Sequence, residues 1–222
     1  MSHPIELVIF DCDGVLVDSE RLMVKVESEF LASYGWELGE QGVIDRFMGR
    51  AGAEVSAEIT ARLGDALPPD WEQELRARSV AAFEESLVPV DGIHEVLDAL
   101  SLPTCVASSG AHEKMRITLG LTGLYDRFAG RIFSAVDVGR GKPAPDLFLH
   151  AAARMGADPA ACAVVEDSRY GMMAARVAGM RAFGFVGGLS SAEALDGPGT
   201  VLFEDMRSLP GLLAERGAAL AS

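Results

Sequence analysis

Four bulky apolar residues in succession, Leu7-Val8-Ile9-Phe10, run straight into Asp11-Cys12-Asp13-Gly14. An unbroken apolar run of this length fits a strand covered on both faces, the kind found in parallel sheets layered between helices. Its carboxyl end is where open α/β sheets place their ligands. Two carboxylates at that point need a cation or a hydrogen-bonding ligand to offset the cost of burying charge.

The rest of the chain alternates strand and helix patterns with one long interruption. Met23, Val26, Phe30 and Tyr34 recur at spacings of three or four, which predicts a helix over 20–34. Further helical stretches are expected at 41–47, 51–63 and 71–85, the last two separated by Gly64, Pro68 and Pro69. No strand pattern occurs between residues 17 and 88, and the apolar stripes there suit a small core of the insert's own. From Pro89 onward strands are expected at 104–107, 132–134, 162–165, 180–185 and 200–203. Helices are expected where Ile93, Val96, Leu97 and Leu100 make an apolar face, and at 113–119 (ended by Gly120 and Gly123), 147–155, 171–178 and 209–215. This order predicts an α/β fold, a Rossmann-like doubly wound parallel sheet core of residues 1–16 and 89–222, carrying an all-helical insert at 17–88.

Charge narrows the partners. The 222 residues hold 33 acidic against 19 basic side chains, a net charge of −14, so no basic stripe is available for nucleic acid. No apolar run approaches membrane-spanning length, and Met1-Ser2-His3-Pro4 forms no basic and greasy leader, so no membrane association and a cytoplasmic location are expected. Cys12, Cys105 and Cys162 lie in or beside apolar runs and read as core thiols. A small anionic substrate would depend on local cations at its site. A monomer or weak homodimer is expected.

Polar residues end three separated strands: Asp11 and Asp13, Ser108 with Ser109, and Glu166 with Asp167. Parallel strands bring such ends to one edge of the sheet, and Lys142 enters from the loop Gly141-Lys142-Pro143-Ala144-Pro145-Asp146. Clustered carboxylates repel one another unless a hard divalent cation neutralises them, and Mg2+ suits few carboxylates together with a phosphate. Ser168 is also placed to cap a helix beginning at Arg169. His112 reads as a solvated first-turn histidine, and Gly187-Gly188 lacks the further glycine spacing of a dinucleotide site.

Asp11-x-Asp13-Gly14-Val15 resembles the first motif of the haloacid dehalogenase superfamily. Val106-Ala107-Ser108-Ser109 resembles its second, Lys142 its third, and Glu166-Asp167-Ser168 after Ala163-Val164-Val165 its fourth. The resemblance implies that Asp11 is a nucleophile and Asp13 a general acid and base. It implies that Ser108 and Lys142 serve catalysis by holding the phosphoryl oxygens, with Ser109 beside them as a substrate contact. Mg2+ would be held by Asp11, the main-chain carbonyl of Asp13 and Asp167, with Glu166 joining directly or through water. The insert resembles the helical cap that closes over the site in this family. Within it, Phe47-Met48-Gly49-Arg50 resembles a substrate-reading loop, making Gly49 and Arg50 candidate substrate contacts.

Asp13 separates the reactions within the superfamily, because dehalogenases lack this second aspartate and phosphonoacetaldehyde hydrolases replace it. A signalling receiver domain, the non-enzymatic alternative, carries its phosphoacceptor on a later strand and has no helical insert. In the β-phosphoglucomutase-like branch a histidine on the first cap helix helps place the acid–base aspartate. Leu22, Met23 and Val24 occupy that stretch here. The expected function is therefore a Mg2+-dependent phosphatase acting on a small phosphorylated metabolite, such as a sugar or sugar-acid phosphate, through an aspartyl-phosphate intermediate. A phosphosugar mutase is the alternative.

Overall fold

The computed structural model describes residues 4–48 and 52–218. The chain opens with β1 (Leu7–Phe10), then α1 (Ser19–Ser33), α2 (Gly39–Phe47), α3 (Gly52–Leu63) and α4 (Trp71–Ser86). It continues through α5 (Ile93–Ala99), β2 (Thr104–Ser108), α6 (His112–Leu121), α7 (Tyr125–Phe128), β3 (Ile132–Ser134) and α8 (Asp146–Met155). It ends with β4 (Cys162–Glu166), α9 (Arg169–Val177), β5 (Arg181–Phe185), α10 (Ala192–Leu195), β6 (Val201–Phe203) and α11 (Leu209–Ala218).

All six strands form one parallel sheet in the order β3-β2-β1-β4-β5-β6. From β1 the sheet grows one way through β2 and β3 and the other way through β4 to β6. The ends of β1 and β4 therefore flank the switch point, where open sheets leave a ligand crevice. Register fixes this edge: Phe10 stands opposite Val106 on one side and Val165 on the other. One residue further on, the Asp11 N–H donates to the Val165 carbonyl at 2.9 Å.

The period-two geometry of a strand divides the side chains of β1 between two covered faces. Leu7 and Ile9 join Cys105, Val164, Phe148 of α8 and Met172 of α9 in one buried core. On the other face Phe10 meets Phe128 of α7, with ring centroids 6.4 Å apart. Each fully buried aliphatic or aromatic side chain of this kind contributes about 1.5–3 kcal/mol. The three cysteines are buried free thiols. Burial pushes Cys105 up to about 12 and Cys162 up to about 11, so neither is a ready nucleophile.

Two compact units emerge, Met1–Asp18 with Val88–Ser222, and Ser19–Leu87. In the first, the two connecting segments are hydrogen-bonded to each other. The Asp18 N–H donates to the Val88 carbonyl and the Val90 N–H to the Leu16 carbonyl, each at 3.0 Å, and Val17 bridges antiparallel to Pro89. The second unit is all helical among its described residues, with its own core. Phe30 is fully buried there, 5.0 Å from the Tyr34 ring and 6.0 Å from that of Trp71. The Tyr34 hydroxyl donates to Glu74 at 2.7 Å, joining α4 to the turn after α1.

Two local expectations need correction. Gly120 does not end its helix. α6 runs through it to Leu121, and the stop is a left-handed Gly123 (φ 72°), with the Leu124 N–H on the Leu119 carbonyl and the Gly123 N–H on the Gly120 carbonyl. α7 and α10 were not anticipated, because four residues are too few to show a helical period. No helix among the described residues is long and apolar enough to cross a membrane.

Candidate active site

The chain turns sharply after β1. The Gly14 N–H donates to the Val17 carbonyl at 2.8 Å and the Leu16 N–H to the Cys12 carbonyl at 2.9 Å. Gly14 has φ +75°, and a Cβ there would lie 1.9 Å from Asp167 Oδ2. Glycine is required twice over, by backbone conformation and by the approach of the Asp167 carboxylate. On another side of that carboxylate, a Cβ on Gly188 would lie 3.0 Å from Asp167 Oδ2.

Asp11, Glu166 and Asp167 are buried, and one carboxylate oxygen from each lies within 4.8 Å of the others. Lys142 stands among them, its ammonium 2.7 Å from Asp11 Oδ1 and 2.5 Å from Glu166 Oε1. Its loop is braced by Arg140, whose guanidinium grips Asp146 through two bonds of 3.1 Å, and the Lys142–Pro143 peptide is cis. The Phe148 ring lies 4.9 Å from the ammonium. Burial pushes Asp11 up to about 7; Lys142 opposes that rise while Glu166 and Asp13 add to it. For Lys142 burial acts downward, but Asp11 and Glu166 outweigh it and hold the ammonium above its ordinary range. Three carboxylates, all hard oxygen donors, against one ammonium make a set suited to a divalent cation.

Glu166 commits both oxygens to protein donors. Oε1 faces Lys142, while Oε2 accepts from the Ser168 N–H at 2.7 Å and from the Ser168 hydroxyl at 2.8 Å. Ser168 also caps α9, accepting from the Gly171 N–H at 3.1 Å. A Cβ on Gly171 would lie 1.8 Å from Glu166 Oε1, so the glutamate fits only because the first turn of α9 has no side chain there.

The turn after β2 is pinned from two directions. Ser108 is buried, and its hydroxyl accepts from the Gly110 N–H at 3.1 Å, while the Ser134 hydroxyl at the end of β3 donates to the Gly110 carbonyl at 2.6 Å. A hydroxyl that accepts in this way can still donate its own proton. Ser109 is exposed on the same turn. The Asp13 carboxylate stands apart from the three-acid group and pairs with Lys114 of α6, Nζ to Oδ1 at 2.8 Å. His112 is half exposed and pairs with Asp137 at 2.9 Å. Cys12, between the two aspartates, is raised well above its ordinary range by burial and then by Asp13 and Asp11, which removes it as a competing nucleophile.

Of the residues singled out from the sequence, Asp11, Lys142, Glu166 and Asp167 meet directly, and Asp13 and Ser108 converge around Gly110. A Cβ on Gly110 would lie 3.4 Å from Ser108 Oγ and 3.7 Å from Asp13 Oδ2. Gly49 and Arg50 lie outside the described residues. Sequence reasoning missed Lys114, Ser134, Gly171 and Gly188. Only Lys114 carried a clue, a cation in the first turn of a helix, where the helix dipole disfavours it unless an acid stands near.

Residues 5–179 match the model of the haloacid dehalogenase-like hydrolases. The chain belongs to that family. It stands in the phosphatase and β-phosphoglucomutase-like branch of the superfamily, with a helical cap inserted in the core. As a dehalogenase-like hydrolase it is 32% identical over 214 residues to the 6-phosphogluconate phosphatase of Escherichia coli (strain K12), covering 96% of each chain. Among solved structures it resembles a conserved haloacid dehalogenase-like protein of Agrobacterium tumefaciens, at 34% identity and a TM-score of 0.84 over 98% of this chain and 100% of the other. A haloacid dehalogenase family hydrolase of Deinococcus radiodurans, solved with bound phosphate and sodium, matches at 31% identity and a TM-score of 0.78 over 95% and 97%.

Proposed function

We propose that this hydrolase is a Mg2+-dependent phosphatase of small phosphorylated metabolites that works through an aspartyl phosphate on Asp11. The observation that carries the reading is the Asp11 carboxylate, held by Lys142 at the switch point of the sheet beside Glu166 and Asp167. The buried set of hard oxygens, with the Gly14 side kept clear of a Cβ, fits Mg2+. Asp11, Asp167 and the main-chain carbonyl of Asp13 would hold the ion, and Glu166 would hold Lys142 in place. When bound, Mg2+ supplies the charge that lets phosphate oxygens approach these acids and offsets the charge that builds on them.

In the first half-reaction an Asp11 oxygen forms a bond to phosphorus as the ester P–O bond breaks. Asp13 gives its proton to the departing alkoxide. Lys142 and the Ser108 hydroxyl, with N–H groups of the turns after β1 and β2, donate to the equatorial oxygens. In the second half Asp13 takes a proton from water, whose oxygen attacks phosphorus. The bond from phosphorus to Asp11 breaks, and inorganic phosphate leaves with both aspartates restored.

Likeness to a 6-phosphogluconate phosphatase along nearly the whole chain favours sugar-acid phosphates as the first substrates to try. Absence of a cap histidine at Met23 favours hydrolysis over mutase chemistry. A phosphate-release screen over sugar-acid, sugar and polyol phosphates tests this beside an assay for conversion of glucose 1-phosphate to glucose 6-phosphate. Mg2+-dependent release of phosphate is expected. Rapid isomer conversion with little free phosphate would overturn the reading.

A further inference from the structure

Lys114 is a cation at the third position of α6, where the helix dipole works against it. It lies on the compact unit that carries the acids, and its ammonium is 2.8 Å from Asp13 Oδ1. Its stem passes the turn after β2, because a Cβ on Gly110 would lie 3.5 Å from Lys114 Cδ and 3.7 Å from Asp13 Oδ2. That turn is itself fixed by the Ser108 and Ser134 hydroxyls. Only a fifth of the Asp13 side chain is exposed, and about a third of that of Lys114. The pair is therefore neither a fully solvated contact nor a sealed one.

We propose that Lys114 is a positioning residue for proton transfer: by holding Oδ1 of Asp13 it fixes the carboxyl plane and presents Oδ2, on the Gly110 side, as the oxygen that passes the proton. The proposal rests on the reading of Asp13 as acid and base. Proton transfer to a leaving group needs the donor within hydrogen-bond reach and in line, and a freely turning carboxyl is seldom in that geometry. An ammonium can hold Oδ1 whether Oδ2 carries a proton or not, so the same contact serves both half-reactions. In the first, the proton on Oδ2 passes to the alkoxide as the P–O bond breaks. In the second, Oδ2 receives a proton from the attacking water.

Leaving-group chemistry separates positioning from a general loss of structure. The value of kcat/KM reports steps up to departure of the leaving group. An alkyl phosphate needs its alkoxide protonated, whereas p-nitrophenolate leaves without help. For Lys114→Met, kcat/KM should fall roughly tenfold or more on the alkyl phosphate best hydrolysed in the screen, but less than about twofold on p-nitrophenyl phosphate. Lys114→Arg should restore most of the alkyl activity, and Lys114→Gln should behave as Lys114→Met does. Thermal melting of each variant shows whether it is folded. Asp13→Asn is the control for the underlying reading. If it leaves the alkyl-to-aryl ratio unchanged, Asp13 is not the acid and both readings fall. If Asp13→Asn shifts the ratio and neither Lys114→Met nor Lys114→Gln does, the Lys114 proposal alone is overturned. Equal losses on both esters in folded Lys114 variants would overturn it too, since they would mark a phosphate contact.

Discussion

Lys142 and Asp11 show how one pair of residues can satisfy two demands. The ammonium fixes the carboxylate by one oxygen, yet burial still holds Asp11 far above the range of an ordinary aspartate, at about 7. Asp11→Asn should abolish turnover of p-nitrophenyl phosphate and of alkyl phosphates, because an amide neither attacks phosphorus nor holds a divalent cation well. Residual turnover in the purified variant would count against the covalent route. Asp11 also makes stability depend on pH. Its pKa is near 3.8 in the absence of the fold and about 7 within it, so the folded chain binds the proton more tightly. The stability this group contributes is complete below about pH 3.8 and is lost as pH rises through about 7. Metal-free protein should thus melt at progressively lower temperature from about pH 4 to about pH 7 and level off above that. Saturating Mg2+ should flatten that decline, since the cation favours the ionised carboxylate. Parallel melting profiles with and without Mg2+ would show that Asp11 does not meet the ion.

Strand β1 and helix α9 differ in how much of their work the sequence disclosed. The apolar run before Asp11, the alternation after Pro89 and the separated polar strand ends were enough to predict the sheet and four members of the acid–lysine cluster. Each depends on a local pattern. Gly171 shows none, being one small residue in the first turn of a helix, and its role exists only because Glu166 folds beneath it from β4. Gly188 was illegible for the same reason, and Lys114 gave only the clue of a cation in a first helical turn, since the partners of both are distant in the chain. In an ordinary helix Gly→Ala gains up to about 1 kcal/mol. In α9 a Cβ 1.8 Å from Glu166 Oε1 should reverse that sign. Gly171→Ala is expected to lower the melting temperature and cut kcat severalfold by displacing Glu166 from Lys142. A variant that melts higher with unchanged kcat would mean that the glutamate has room to move.

Across the molecule, 69 residues from Ser19–Leu87 interrupt a parallel sheet whose cluster of Asp11, Glu166 and Asp167 belongs to the other unit. Helical periodicity announced that interruption, and its aromatic centre at Phe30 gives it a core of its own. Replacing Ser19–Leu87 with a short glycine-rich turn should leave a folded core that still melts cooperatively and gains stability from Mg2+. A molten product without a melting transition would show that the core needs the insert to fold. The reason to expect success lies in the bonded pair of connecting segments. Asp18 and Val88 already touch, at 3.0 Å from N–H to carbonyl. To the sheet, whatever lies between them is a loop with its ends already joined. Closing such a loop costs free energy only as the logarithm of its length, about 0.6 kcal/mol for each doubling. The sheet is therefore nearly indifferent to the size of what it carries at that point. It works as a socket, able to accept a short turn, these four helices or a larger body while the acids at its edge keep their register.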